Sequence, residues 1–179
     1  NGCTSLKPGQ VSGIISDGAA ARVVTKAEAG KWILSGNNTY TGLTTLTLGT
    51  LTLSGDNVAA SGGVTLTAGT LNIGSATALG TGTFRIDGGT INTSGGAQTL
   101  TTNNTKTWNA SFAFTGTNSL NLGTGTVTLG GNVTVTNSAS TLTVGGAIAE
   151  TGGVRTLTFN DGGGGGAVVL NGTNTYTGL

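Results

Sequence analysis

Between Thr44 and Asn103 the apolar positions obey two periods at once. Over a few residues they alternate with polar ones, as in Thr45-Leu46-Thr47-Leu48 and Leu51-Thr52-Leu53. That is the pattern of a β-strand with one face buried. The same short runs then return every twenty residues. Cut at that interval, the segment reads TTLTLGTLTLSGDNVAASGG, VTLTAGTLNIGSATALGTGT and FRIDGGTINTSGGAQTLTTN. Leu46, Leu66 and Ile86 fall in one column, Leu51, Leu71 and Ile91 in another, and Leu53 over Ile73 in a third. Gly49, Gly69 and Gly89 coincide, each followed by Thr. A fixed period near twenty with two short strands per line predicts an all-β fold, a parallel β-helix or β-solenoid. In such a fold each coil covers the inner face of the next.

The register assigns faces. Positions 44, 46 and 48 and their equivalents point to the core. Thr45, Thr65 and Arg85, with Thr47, Thr67 and Asp87, point to solvent. The glycine column marks a bend between strands, where a Cβ would be strained or crowded. Outside these lines the alternation continues less regularly. Strands are expected at 22–26 and 31–35, separated by a turn, and at 120–122, 126–129, 133–136, 141–144, 156–159 and 167–170. Thr107–Thr115 carries the largest side chains, Trp108, Phe112 and Phe114. Gly162–Gly166 reads as a flexible turn, since no Lys-Ser/Thr follows to make a phosphate loop. Residues 1–10 fit no rung and hold the sole proline, Pro8, so they read as an N-terminal arm or cap. Residues 11–179 read as a single solenoid domain. Some nine rungs at about 4.8 Å each would give a rod roughly 40 Å long.

A longer repeat overlies the short one. LSGNNTYTG at 34–42 returns as LNGTNTYTG at 170–178, and VSGIISDG at 11–18 resembles VGGAIAETGG at 144–153. The second copy opens as the sequence ends, which fits either a piece of a longer protein or completion by another chain.

Composition agrees with strands and turns. Leu, Val, Ile and Thr supply the former, and 35 Gly the latter, with only 7% charged residues. The charge is too low and the hydropathy too high for a disordered segment. A net charge of +1 gives no reason to expect nucleic acid or an anionic membrane as partner. No apolar run approaches the length of a membrane span, and any export leader is expected to have been removed. The lone Cys3 cannot make an internal disulfide or a metal site. It reads as an incidental or cross-linking thiol, with lipidation as the alternative.

GKWILSGNNTYTGLTTLTLGTLTLSG, residues 30–55, resembles the passenger-associated transport repeat of bacterial autotransporters. The marks are L-S-G-x-N-T-Y-T-G, the two following Thr, and the closing G-T-L-x-L. AVVLNGTNTYTGL, residues 167–179, resembles the opening of another copy. The resemblance implies a secreted or surface-exposed bacterial passenger with a right-handed parallel β-helix, whose repeats support export and build a stalk. The family's outer-membrane barrel is not in this sequence, so self-translocation is not implied for it.

An enzyme is not expected. The acidic residues are Asp17, Glu28, Asp56, Asp87, Glu150 and Asp161. None lies two residues from another or shares a column of the twenty-residue register, as a glycosidase pair would require. Arg85 and Asp87 form the best polar cluster and read as a solvated pair. There is no His for proton transfer. No catalytic, cofactor-binding or metal-ligating residue is assigned, and no cofactor. The expected function is a non-enzymatic extracellular rod, a surface stalk or a fibre that polymerises end to end. In the fibre, residues 1–10 or Leu170–Leu179 would complete a neighbour's sheet. One alternative is an adhesin binding glycans or a host surface, with Tyr40 and Tyr176 as contacts; their simpler role is to close the turn and pack on the next coil. The other alternative is an ice-binding solenoid using Thr45/Thr47 and Thr65/Thr67, a ladder that Arg85/Asp87 interrupts.

Overall fold

The computed structural model describes residues 8–178; Cys3 and most of the expected N-terminal arm lie outside the described residues. The first half of the chain forms β1 (Gly9–Val11), β2 (Val24–Lys26), β3 (Lys31–Leu34), β4 (Thr44–Leu46), β5 (Thr50–Leu53), β6 (Val64–Leu66), β7 (Thr70–Ile73), β8 (Phe84–Ile86) and β9 (Thr90–Thr93). The second half forms β10 (Gln98–Thr99), β11 (Lys106–Trp108), β12 (Phe112–Phe114), β13 (Leu120–Asn121), β14 (Val127–Leu129) and β15 (Val133–Asn137). It ends with β16 (Thr141–Val144), β17 (Ile148–Glu150), β18 (Leu157–Asn160) and β19 (Ala167–Leu170). Gly9 and Gln10 thus belong to a strand. Among the described residues there is no helix, and none long and apolar enough to cross a membrane.

The strands stack in parallel into three sheets, one per face of a solenoid. Eight strands follow the order β1-β3-β5-β7-β9-β12-β15-β18, seven the order β2-β4-β6-β8-β11-β14-β17, and four the order β10-β13-β16-β19. The register is the one read from sequence. Leu46 lies opposite Leu66 and Leu66 opposite Ile86; Leu51 lies opposite Leu71 and Leu71 opposite Ile91. Every one of these side chains is buried.

The third face has no counterpart in the twenty-residue pattern, and it changes the coil count. Up to β9 that face is carried by loops rather than strands, which cross-link through side chains and turns. From β10 onward it becomes a sheet, and the coils lengthen: Phe112 pairs with Val135, Val133 with Leu157, and Val144 with Leu170. The chain therefore makes about seven coils, not nine. At about 4.8 Å per step, the eight-stranded sheet spans roughly 34 Å rather than 40 Å. Trp108, Phe112 and Phe114 fall where the coil has widened, and their rings fill the larger section. Trp108 and Phe112 meet edge to face with centroids 5.0 Å apart.

Position 48 departs from the expected face. Leu48 is 49% exposed, because β4 ends at Leu46 and the chain turns through Thr47 to Gly49, so alternation no longer applies. At the next residue Gly49, Gly69 and Gly89 all have φ between +75 and +81°, which explains the glycine column directly. Gly55 is required for a different reason. A Cβ there would lie 1.9 Å from the carbonyl oxygen of Gly36 on the coil below.

Gly55→Ala is expected to lower stability by about 2–3 kcal/mol through this clash. Gly30→Ala, whose Cβ meets nothing within 4 Å, should change it by less than about 0.5 kcal/mol. Thermal unfolding followed by circular dichroism compares the two; equal midpoints would remove the backbone clash as the reason for the glycine.

Candidate functional site

The most elaborate arrangement of polar side chains lies where the LSGNNTYTG segment crosses the loop-built face. Loops there cannot extend a ladder, so buried backbone groups need side-chain partners. Asn38 and Asn57 provide them from inside the wall. Asn38 Oδ1 accepts from the Ile15 amide at 2.9 Å, on the coil below. Its Nδ2 and its own amide both donate to Asn57 Oδ1 at 3.0 Å, on the coil above. Asn57 Nδ2 then donates to the Ala78 carbonyl at 2.8 Å. Asn104 repeats the device, donating to the carbonyls of Gly80 and Gly82.

Tyr40 closes the same corner. It is 4% exposed, and its hydroxyl lies 2.5 Å from Thr44 Oγ1. Burial raises the phenol's pKa, against the opposing effect of the Thr44 bond. Tyr40 is therefore packed away from any glycan, whereas Tyr176 is half-buried against the core.

Outside the wall a carboxylate grips the next residue. Asp17 Oδ2 accepts from the amide and hydroxyl of Thr41 at 2.9 and 2.6 Å, and Oδ1 from the Arg22 amide at 2.7 Å. Glu150 treats Thr177 and Arg155 in the same way. Its Oε1 accepts from the Thr177 amide and hydroxyl at 3.1 and 2.5 Å, and its Oε2 from the Arg155 amide at 2.6 Å. The longer repeat is thus a repeat of bonds as well as letters. Ile148 also donates to Asn174 Oδ1 at 2.9 Å, as Ile15 does to Asn38. These bonds hold both carboxyls below the usual carboxylate pKa, the threonine hydroxyl first and the arginine amide next.

Three of the four remaining acidic residues are also engaged, all but Glu28. Asp87 takes both oxygens to Arg85 Nε at 2.8–2.9 Å and accepts from Asn109 Nδ2 at 2.7 Å. Desolvation opposes its ionisation, but those bonds prevail and lower its pKa. Asp56 accepts from Thr77 Oγ1 and Asp161 from the Gly163 amide. Among the described residues no group of three His, Cys, Asp or Glu is placed to hold a metal ion. The paired threonine ladder is also not laid on a flat sheet, since β4 and β6 end at Leu46 and Leu66, before Thr47 and Thr67.

Two lysines sit where the pattern places apolar core. Lys26 Nζ donates to the carbonyls of Glu28 and Leu48. Lys106, 1% exposed, donates to those of Asn104 and Gly125 at 2.8 and 3.1 Å. Each caps carbonyls that a corner leaves outside the ladder. Nothing in the alternation marks them, because a lysine in a strand ordinarily reads as an outward position. Desolvation lowers the pKa of Lys106 to about 8.

The Asn38–Tyr40–Thr41 corner, the Gly49 bend and the β5 strand together make one closed unit of the solenoid. The passenger-associated transport repeat matches residues 24–51 and again residues 48–73. Residues 24–73 carry two passenger-associated transport repeats. The two matches overlap at the Gly49 bend, so the strand that closes one repeat opens the next. Residues 167–178 share the repeat's motif and its bonds but lie outside the matched segments. No curated protein and no solved structure matches the chain.

The carboxylate grip predicts acid sensitivity. Because the folded-state pKa values of Asp17 and Glu150 are depressed, their contribution is complete above the ordinary carboxylate pKa of about 4. It is lost as pH falls through the lowered values. Asp17→Asn with Glu150→Gln should melt lower than the unsubstituted chain at pH 7 yet lose less stability between pH 5 and pH 2.5, read from melting curves across that range. Lys106 gives the opposite window. Its folded pKa lies below the unfolded value, so stability should rise with pH from about 8 towards about 10.4. Lys106→Met should abolish that rise; a rise of the same size in the variant would assign it to another group.

Proposed function

We propose that the chain is a non-catalytic structural rod, a length of stalk in a bacterial passenger that is secreted or displayed at the cell surface. The repeats and the solenoid fit an autotransporter passenger. The observation that carries the reading is the continuity of the ladder and core. The eight-stranded sheet runs from β1 to β18 without a break, and its inner face is aliphatic or aromatic over most of that length. Such a body resists bending, because each coil is hydrogen-bonded to both neighbours along the axis. The polar groups support the same role. Five of the six carboxylates, Asp17, Asp56, Asp87, Glu150 and Asp161, accept hydrogen bonds that fix turns or tie coils together.

A second reading, an adhesive surface, draws on the outer face of the eight-stranded sheet. Thr50, Thr70 and Thr90 form one half-exposed column there, while the neighbouring Thr52 and Asn72 are buried and bonded to each other. The hydroxyls of that column could meet the hydroxyls of a sugar chain.

Displaying the chain between a secretion signal and an outer-membrane barrel tests the rod. An epitope at its outer end should reach the surface, and Gly55→Ala should reduce the amount displayed. Normal display of an unfolded variant would sink the stalk role. Saturable binding of the purified chain to a glycan array, lost on replacing Thr50 and Thr70 with Lys, would move the assignment to an adhesin.

A further inference from the structure

We infer that the Tyr40 corner holds one buried water, a fixed part of the solenoid wall bound by Tyr40, Thr44 and Asn57. The site goes beyond the rod reading and does not depend on it.

The hydroxyls of Tyr40 and Thr44 are both buried, at 4% and 1% exposure. Among the described residues each makes one hydrogen bond, to the other, at 2.5 Å. Two hydroxyls carry two hydrogens, and only one of these can lie between the two oxygens. The second hydrogen needs a further acceptor, because a buried donor left alone is costly. Asn57 adds another such hydrogen. It is 2% exposed, its Oδ1 takes both bonds from Asn38, and its Nδ2 gives one hydrogen to the Ala78 carbonyl. The other Nδ2 hydrogen has no partner among the described residues.

These three residues line one internal cavity of about 10 Å³, closed by Leu53, Val64, Ala78 and Leu79 and by glycines of the turn. That volume takes a single water and nothing larger. A water has two lone pairs for the two unplaced hydrogens. Its own hydrogens can go to the hydroxyl oxygens and to the Ala78 carbonyl, which keeps one lone pair beside its bond from Asn57. No carboxylate lines the space, so it does not suit a metal cation.

The column containing Thr44 gives independent support. Thr44 points inward, and its neighbours there are Val24, Val64 and Phe84. A hydroxyl in that column is out of place unless something binds it. Tyr40 stands four residues before Thr44. At the same spacing Ala60 precedes Val64, and Gly80 precedes Phe84. The coils without the phenol are thus also without the threonine, as expected if both hydroxyls serve one site.

Oxygen-17 relaxation dispersion on the full chain counts long-lived waters without interference from exchanging hydroxyl hydrogens. Tyr40→Phe with Thr44→Val removes both hydroxyls and keeps the shape of the core, a change the fold is expected to bear. This variant should hold one long-lived water fewer than the unsubstituted chain. An equal count, in a variant whose melting curve shows it to be folded, would overturn the site. Should the variant fail to fold, a crystal structure of the unsubstituted chain decides. Its density should show one peak within about 3.2 Å of Asn57 Nδ2 and of one of the two hydroxyls. A corner without that peak would overturn the proposal. Either result leaves the rod reading standing, since one corner alone is involved.

Discussion

Hydrogen bonds that run along the axis, from each coil to the ones above and below, set the terms for everything else in this molecule. A parallel ladder fixes the spacing between coils at about 4.8 Å, and no coil can withdraw from it locally. Side chains at one position must therefore stack on their own kind, and a bulky group in a crowded corner has nowhere to go. This is why Gly55 faces the Gly36 carbonyl at a distance no Cβ tolerates. It is also why Asn38 and Asn57 are buried inside the wall. Where the chain turns, the ladder leaves polar groups behind, and a short amide side chain replaces the missing strand at the same spacing. The repeat motif is largely a list of these requirements: glycine where coils touch, asparagine where the ladder fails, tyrosine and threonine to close the corner.

That dependence explains which features could be read from letters. Columns such as Leu46–Leu66–Ile86 were visible because stacking like on like writes the fold directly into the sequence. The bend at Gly49, Gly69 and Gly89 was visible for the same reason. The third face was not. Before β10 it is built by loops whose cohesion comes from asparagine side chains, and asparagine ordinarily signals a solvent turn. After β10 its strands are short, only Gln98–Thr99 and Leu120–Asn121 at first, too brief for alternation to show. Leu48 was misplaced because alternation was carried past the end of β4. Lys106 was hidden because its long stem behaves as core while its ammonium finds two carbonyls at the corner.

Electrostatics here serve geometry. Asp17 and Glu150 are half-buried, and each takes three bonds from a turn and from the coil above, so their charge is anchored to backbone amides and a threonine hydroxyl rather than to a partner ion. The lysines complement them inside the wall. A carboxylate ties a corner from the outside, and an ammonium ties one from within. The Asp-to-Glu change between the two copies shows what is kept physically: three bonds to one carboxylate, with the longer side chain reaching the same partners although the threonine lies 27 residues on rather than 24.

The phase of the long repeat carries a consequence for any extended array of such units, whether one polypeptide or many copies. Because the motif returns six coils and one face later, equivalent corners wind around the rod instead of lining up along one side. The carboxylate grips, the asparagine ties and the outward threonine columns are then spread over all three faces. A stalk built this way has no weak side, since each face is loop-built over part of its length and sheet-built over the rest. An integral number of coils would have placed every loop-built corner on one edge, where bending would concentrate. The three extra residues that make Asn160–Gly166 longer than the Ala27–Gly30 turn do not disturb this phase, because they bulge outward between strands whose pairing is unchanged.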